Sequence, residues 1–410
     1  MEKDLKRKLT LIFGFVFIDL LGYSLILPLL PYYAENFGAS IAVVGLLGTV
    51  NALGQLVAAP VIGRLSDRYG RRPLLIVAIS GTLVAFLMLG LARTLFMVFL
   101  SRIVDGLLGG NIALAKAYIT DVTDSKTRAR GLGIIGAAFG LGFIIGPAMG
   151  GFLSRFGYNI PALLAAGLSL LNLVAVLIWL PESLAPAERE RMRSHPHTAF
   201  SLKNLADELR RPCVGPLLNI RLFYSLAFTL FQANFALYAK EHLGLAAQTT
   251  AYVLTYVGLL SVLVQGFAIG KLTDRFRERT LIYVGTIILA VALIAWGFTP
   301  NIWLLLVVLA PIALSAGVLN TVITSQTTRF IYKEDVGGTL GLANSMQTFA
   351  QIVSPGIGGF LLGYAGTWSV GLLAGLLMAG TAIYTYRYVM QQPEKDGPNC
   401  YCEEEAVQTA

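Results

Sequence analysis

The chain has 410 residues, of which 56% are hydrophobic and only 13% charged, and its formal net charge is +8. A soluble domain carries about 25% charged residues, so there is too little polar side chain here to cover a water-facing surface of this size. The basic residues sit in short segments between long apolar blocks rather than on a face interleaved with aromatics, which excludes nucleic acid as a partner and makes a lipid bilayer the solvent.

Lys3, Lys6, Arg7 and Lys8 precede the first apolar block. That block is too long for a signal-peptide core, and no small-residue cleavage site follows it, so it reads as a retained first span. Blocks long enough to cross a hydrocarbon core of about 30 Å predict twelve spans, at 9–34, 41–66, 73–93, 95–119, 131–155, 159–181, 214–240, 248–272, 279–298, 302–327, 338–364 and 367–391. The expected fold class is an all-α membrane protein of twelve transmembrane helices in two six-helix pseudo-repeats. Residues 1–181 form the first bundle, the proline-rich, charged stretch 182–213 a linker, 214–391 the second bundle and 392–410 a tail.

Of the 31 lysines and arginines, Arg93, Arg155 and Lys240 fall on one side of the bilayer and Arg102 and Lys116 inside spans; all others fall on the side of the N-terminus. Positive charge marks the cytoplasmic side, so both termini and the linker are expected there. Cys213, Cys400 and Cys402 then lie in a reducing compartment, where structural disulfides do not form. The last two fit either a spare reduced tail or a metal or lipidation site.

The two halves repeat. Gly63-Arg-Leu-Ser-Asp67-Arg-Tyr-Gly70-Arg71-Arg72 is echoed 207 residues later by Gly270-Lys-Leu-Thr-Asp274-Arg-Phe-Arg277-Glu-Arg279. Gly146-Pro147-Ala-Met-Gly150-Gly151 is echoed 208 residues later by Ser354-Pro355-Gly-Ile-Gly358-Gly359. Two unrelated segments sharing one offset imply a duplicated six-helix unit, an arrangement that places substrate between the halves near mid-membrane.

Ionisable residues within spans mark mechanism, because an unpaired charge at mid-membrane costs several kcal/mol. Asp19, about ten residues into the first span and followed by Gly22, Pro28 and Pro31, is suited to take up and release a proton, since burial favours a neutral carboxyl group; a structural hydrogen-bonding role also fits. In the segment read as the loop between spans two and three, Gly70 allows a tight turn and Asp67 can face a helix N-terminus. Arg71 can reach Asp121 at the end of span four. With Gly63 and Arg72 these residues make a conformational latch between the halves, or else the arginines are only orienting charges. On a continuous fourth helix Arg102, Asp105 and Lys116 share one stripe. Arg102 and Asp105, three apart, can pair until a proton or a cationic substrate displaces the pairing, while Lys116 can snorkel to the surface. In span five Gly142, Gly146, Pro147, Gly150 and Gly151 combine close backbone approach with a lost backbone hydrogen bond. The second half offers amides and aromatics instead of acids. Gln232, Asn234, Tyr256, Asn320, Asn344, Gln347 and Gln351 are its candidate substrate contacts, with helix–helix hydrogen bonding as the alternative.

The Gly63–Arg72 segment resembles the signature between helices two and three of the major facilitator superfamily. Arg102-x-x-x-Gly106 resembles its fourth-helix motif, whose arginine is linked to proton transfer. The span-five glycines resemble the antiporter motif of twelve-helix drug:proton antiporters, and Asp19 through Pro31 is similar to the first helix of the tetracycline-exporter-like group, where the corresponding acid is functional. Spans three and nine carry no acid at their middles, a departure from that group that points to a substrate other than tetracycline.

No Gly-x-x-x-x-Gly-Lys-Ser/Thr loop is present, so a proton gradient rather than ATP is the expected energy source. With no metal-ligand cluster and no nucleophile–base set, the chain is not expected to be an enzyme, to hold a metal or to need a cofactor. The sequence reads as a plasma-membrane, monomeric, proton-coupled antiporter that exports a small amphipathic molecule or drug by alternating access. A facilitator or proton symporter for a metabolite or lipid-like substrate is the alternative.

Overall fold

A computed structural model describes residues 2–123, 127–184, 214–330 and 336–391. Most of the linker, the tail and all three cysteines lie outside them. Among the described residues all regular structure is helical. The first half contains α1 (Glu2–Ile26), α2 (Leu30–Glu35), α3 (Ile41–Tyr69), α4 (Arg71–Gly90), α5 (Leu95–Leu108), α6 (Asn111–Val122), α7 (Arg128–Leu153) and α8 (Asn159–Trp179). The second contains α9 (Val214–Leu243), α10 (Ala247–Leu263), α11 (Ile269–Arg275), α12 (Glu278–Gly297), α13 (Ile302–Arg329), α14 (Val336–Tyr364) and α15 (Trp368–Thr385).

Three expectations from the apolar blocks need correction. The block 9–34 is two helices, because Pro28 lacks an N–H and its ring disfavours helical geometry in the residue before it; the chain turns there and restarts as α2. The block 95–119 is also two helices, separated by Gly109 and Gly110. The segment read as a loop is mostly helical: Gly63 through Tyr69 are the last turns of α3, and the turn itself is Gly70 alone, at φ 105°. That conformation strains any residue with a Cβ, which is why a glycine sits between two helices with no other linker.

Among the described residues, eleven helical segments are long and apolar enough to cross a membrane. The twelfth long helix, α14, spans 29 residues and falls short of that apolarity; Asn344, Gln347 and Gln351 lie along it. Large apolar side chains also point outward, with Trp303 76% and Phe96 74% exposed. Outward apolar residues at this density match an apolar solvent. The chain is an integral multi-pass membrane protein.

The chain groups into two compact units, Met1–His197 with Ala239–Leu259, and Thr198–Tyr238 with Leu260–Ala410. This division differs from a single boundary at the linker by the segment 239–259. That segment is held in the first unit by polar contacts. Lys240 pairs with Glu35, and the Tyr32 hydroxyl bonds the Leu245 carbonyl at 2.8 Å and the Thr250 hydroxyl at 2.6 Å. Burial pushes the Tyr32 phenol up to about 12, so it remains a neutral donor.

Within the first unit α1 packs on α7 and α8, α4 on α5 and α8, and α3 on α5. Its core is mostly aliphatic and includes Ile12, Val16, Leu75, Ile79 and Ile135, with Phe15 and Tyr118 among them. In the second unit α12 packs on α13 and α15, and an aromatic cluster fills the C-terminal half of α9. There Trp296 meets Phe231 edge-on at 4.9 Å and Tyr238 at 4.5 Å, and the Tyr238 hydroxyl bonds the Trp296 carbonyl at 2.6 Å. Aromatic rings bury large areas, and a phenol needs such a partner when enclosed.

Candidate functional site

Asp19 lies two turns before the end of α1 and is half-buried. Asn111 donates its side-chain amide to the Asp19 carboxylate at 2.6 Å and to the Thr82 hydroxyl at 3.0 Å. Asn111 is 3% exposed and opens α6, immediately after the Gly109–Gly110 break. The break delivers a polar side chain to the acid that a straight helix would have pointed elsewhere. Gly-Gly-Asn was the available signal, obscured by reading the block as one rod.

The break also overturns the predicted stripe on span four. Arg102 and Asp105 are buried, whereas Lys116 on α6 is exposed, because two non-helical glycines reset the angular phase between them. The Arg102 guanidinium stands 3.6 Å from the Asp105 carboxylate. Asn51 of α3, absent from the sequence reading, donates to that carboxylate at 3.0 Å and to the Arg102 carbonyl at 3.0 Å. Backbone approach makes this possible. A Cβ on Gly54 would stand 2.9 Å from the Gly106 carbonyl carbon, and a Cβ on Gly106 would run into the Asn51 carbonyl. Arg102 Nη2 is buried with no hydrogen-bond partner. A charged donor left unsatisfied is costly, so this cluster is poised rather than sealed.

Arg71, 5% exposed, knits three helices together. Its Nε donates to Asp121 at 3.0 Å, and its Nη1 donates to the Ser66 hydroxyl at 2.5 Å and Asp67 at 2.5 Å. Asp67, Arg71 and Asp121 all belong to the first unit, so the bonds brace α3, α4 and α6 against one another and do not tie the two halves as a latch between them would. Asp67 is likewise engaged by Arg71 and not by a helix N-terminus. The acid at the N-terminus of α4 is Glu182, which accepts from the backbone N–H of Arg71 at 2.9 Å and of Arg72 at 3.2 Å. A carboxylate there satisfies free N–H groups and the helix dipole together. Arg72 donates to the Leu177 carbonyl at 2.6 Å, near the C-terminal end of α8, where basic groups complement free carbonyls.

The span-five glycines face α1. A Cβ on Gly142 would lie 3.1 Å from Leu20 Cβ, and on Gly150 it would meet the Leu25 carbonyl. Ser24 donates across the contact to the Gly142 carbonyl at 2.7 Å, while a Cβ on Gly146 would fall onto that same serine side chain. Gly151 faces Ala251 of α10 instead, and Pro147 lies inside α7.

The second half builds the same joint from its own residues. Asn234 of α9 is 1% exposed and donates to the Ser354 carbonyl of α14 at 3.2 Å, and Gly358 is the residue that makes room for it. Asn234 thus makes the helix–helix hydrogen bond that was the alternative to substrate contact. Gln232, Asn320, Asn344, Gln347 and Gln351 are exposed and Tyr256 is half-buried. Asn344, Gln347 and Gln351 share one face of α14 by their spacing.

Arg221, on α9, was counted among the orienting charges, yet it is a buried residue at 9% exposure. Its Nη1 donates to Asn320 at 2.6 Å and its Nη2 to Gln347 at 3.3 Å. Arg221 lies seven residues, about two turns, beyond Val214, the first described residue of α9. Its nearness to the linker in sequence hid that depth.

A model of the Major Facilitator Superfamily matches residues 12–239 and 217–399. Multidrug resistance protein 2 of Bacillus subtilis (strain 168) is 27% identical over 369 residues, covering 88% of this chain and 91% of that relative. Tetracycline resistance protein, class C, of Escherichia coli is 28% identical over 351 residues, covering 85% and 87%. The crystal structure of the human organic anion transporter MFSD10 (TETRAN) aligns with a TM-score of 0.69 at 19% identity, over 93% of this chain and 99% of that one; at that identity it speaks for the fold alone. Together with the helices and the brace around Arg71, the match makes this chain a transporter of small molecules and not an enzyme: it belongs to the Major Facilitator Superfamily.

Proposed function

We propose that the protein is a proton-coupled antiporter that exports a small amphipathic molecule or drug by alternating access. The observation that carries this reading is the pair of acids inside the helices of the first unit: Asp19, held by the neutral donor Asn111, and Asp105, shared between Arg102 and Asn51. Asp19 has no cationic partner among the described residues, so protonation removes a charge that nothing else neutralises, which makes it the proton carrier. Protonation of Asp105 would weaken its hold on Arg102 and transmit the event to the contact between α3 and α5. The brace formed by Asp67, Arg71 and Asp121 keeps α3, α4 and α6 moving as one block. The relatives' names, which speak of multidrug and tetracycline resistance, support an export direction. On this reading the protein works as a monomer in the plasma membrane, with both termini cytoplasmic and the proton gradient as its only energy source.

The direction of coupling is the test. In proteoliposomes carrying a pH-sensitive dye, each substrate of a panel of lipophilic cations, neutral drugs, organic acids and lipids is added and proton movement followed. Proton flux opposite to substrate flux is expected. Flux in the same direction would make the protein a symporter, and substrate movement without proton flux a facilitator.

A further inference from the structure

Arg221 is the cation this reading leaves unexplained. A guanidinium is protonated at any physiological pH, and enclosing a charge without a counter-charge costs several kcal/mol. No carboxylate pairs with Arg221 among the described residues. Its partners are neutral: the side-chain carbonyls of Asn320 and Gln347, and the ring of Tyr224, whose centroid lies 5.9 Å from the guanidinium carbon. Its Nε is buried with no partner at all. Asn320 and Gln347 are themselves exposed, so the guanidinium sits just behind an open polar face.

The depth is informative. Arg221 lies seven residues beyond the first described residue of α9, Gln347 eleven beyond that of α14, and Asn320 nine before the end of α13. At 1.5 Å rise per residue these are about 10, 16 and 13 Å along three helices. Two amides and an arginine therefore converge from three helices, each about two or three turns in from a described helix end.

We propose that Arg221, with Asn320 and Gln347, is an anion site, and that the exported substrate carries a carboxylate, sulfonate or phosphate group. This deepens the export reading and rests on it. Arginine presents a planar fork that bonds such groups in pairs, and the missing counter-charge is what the substrate supplies. The amides hold the fork while the site is empty and can turn their N–H groups towards a bound anion, since each amide carries donor and acceptor alike. The apolar part of the ligand would lie against neighbouring aromatic side chains, of which Tyr224 is the first.

Binding measured without any gradient separates this proposal from proton coupling, because an uncoupled protein still binds. The probes are 1-naphthaleneacetate, its neutral amide, and 1-naphthylethylammonium, with 2-naphthalenesulfonate and 2-naphthyl phosphate as further anions. Each is titrated against the purified full-length protein in nanodiscs by competition and thermal shift. The anions are expected to bind at least about tenfold more tightly than the amide, the size of one charge-assisted bond pair, with the amine weaker still. In Arg221→Gln the preference should collapse to about twofold or less, and Arg221→Lys should retain part of it as a point charge. Both variants must elute as monodisperse protein, and Asn320→Ala supplies a milder loss should Arg221→Gln fail to fold. Equal binding of anion, amide and amine by the wild type, or an anion preference that survives in Arg221→Gln or Asn320→Ala unchanged, would overturn the proposal.

Discussion

Arg71 makes three side-chain hydrogen bonds and offers its backbone N–H to a fourth partner, Glu182. Lysine keeps the charge but cannot reach Asp121, Ser66 and Asp67 at once, because an ammonium is a point and not a fork. Arg71→Lys should therefore destabilise the protein by about 1–3 kcal/mol, read as a lower thermal midpoint in detergent, and an unchanged midpoint would show that the brace carries no weight. The partnership of Arg71 with Asp121 was legible in the sequence because both residues sit at span ends of known polarity. Arg102 with Asp105 was legible because residues three apart on a helix are neighbours. Asn51, Asn111 and Glu182 were not. Each is a polar residue brought to its partner by tertiary approach, and no local spacing announces that. Arg221 was visible but misassigned, since a tally of positive charge by position in the chain does not distinguish a residue at a helix end from one two turns inside.

At the scale of helices, glycine decides which pairs touch. Gly150 lies against the Leu25 carbonyl, whereas Gly63 has open space where a Cβ would go. Gly150→Ala should separate α7 from α1 and lower stability by about 1–3 kcal/mol, while Gly63→Ala should be neutral or slightly stabilising, as for alanine in any helix interior. Thermal unfolding of the two purified variants checks both, and equal effects would contradict the packing. The number and order of the long helices were readable from apolar blocks, because a span needs about twenty apolar residues and little else. Where helices stop was not. Hydropathy is blind to the breaks at Pro28 and at Gly109 and Gly110, and those breaks are what carry Asn111 to Asp19 and turn Lys116 away from Arg102.

Across the whole molecule, duplication explains more than the helix count. The joint between α1 and α7, with Ser24 bonded to a backbone carbonyl beside Gly146 and Gly150, recurs between α9 and α14 with Asn234, Ser354 and Gly358. The frame was copied and the charged residues were not: acids occupy the first unit and Arg221 the second. On this account the first unit handles the proton and the second holds the substrate. The sequence showed the asymmetry in acids but not its complement, because Arg221 was hidden among many surface cations.

The most direct test of the division is Asp19→Asn, which keeps the hydrogen-bonding shape and removes the titratable group. In proteoliposomes with an imposed pH gradient, the account predicts that driven transport is lost while substrate exchange without a gradient and binding at Arg221 persist. Driven transport at the wild-type rate in Asp19→Asn would contradict it.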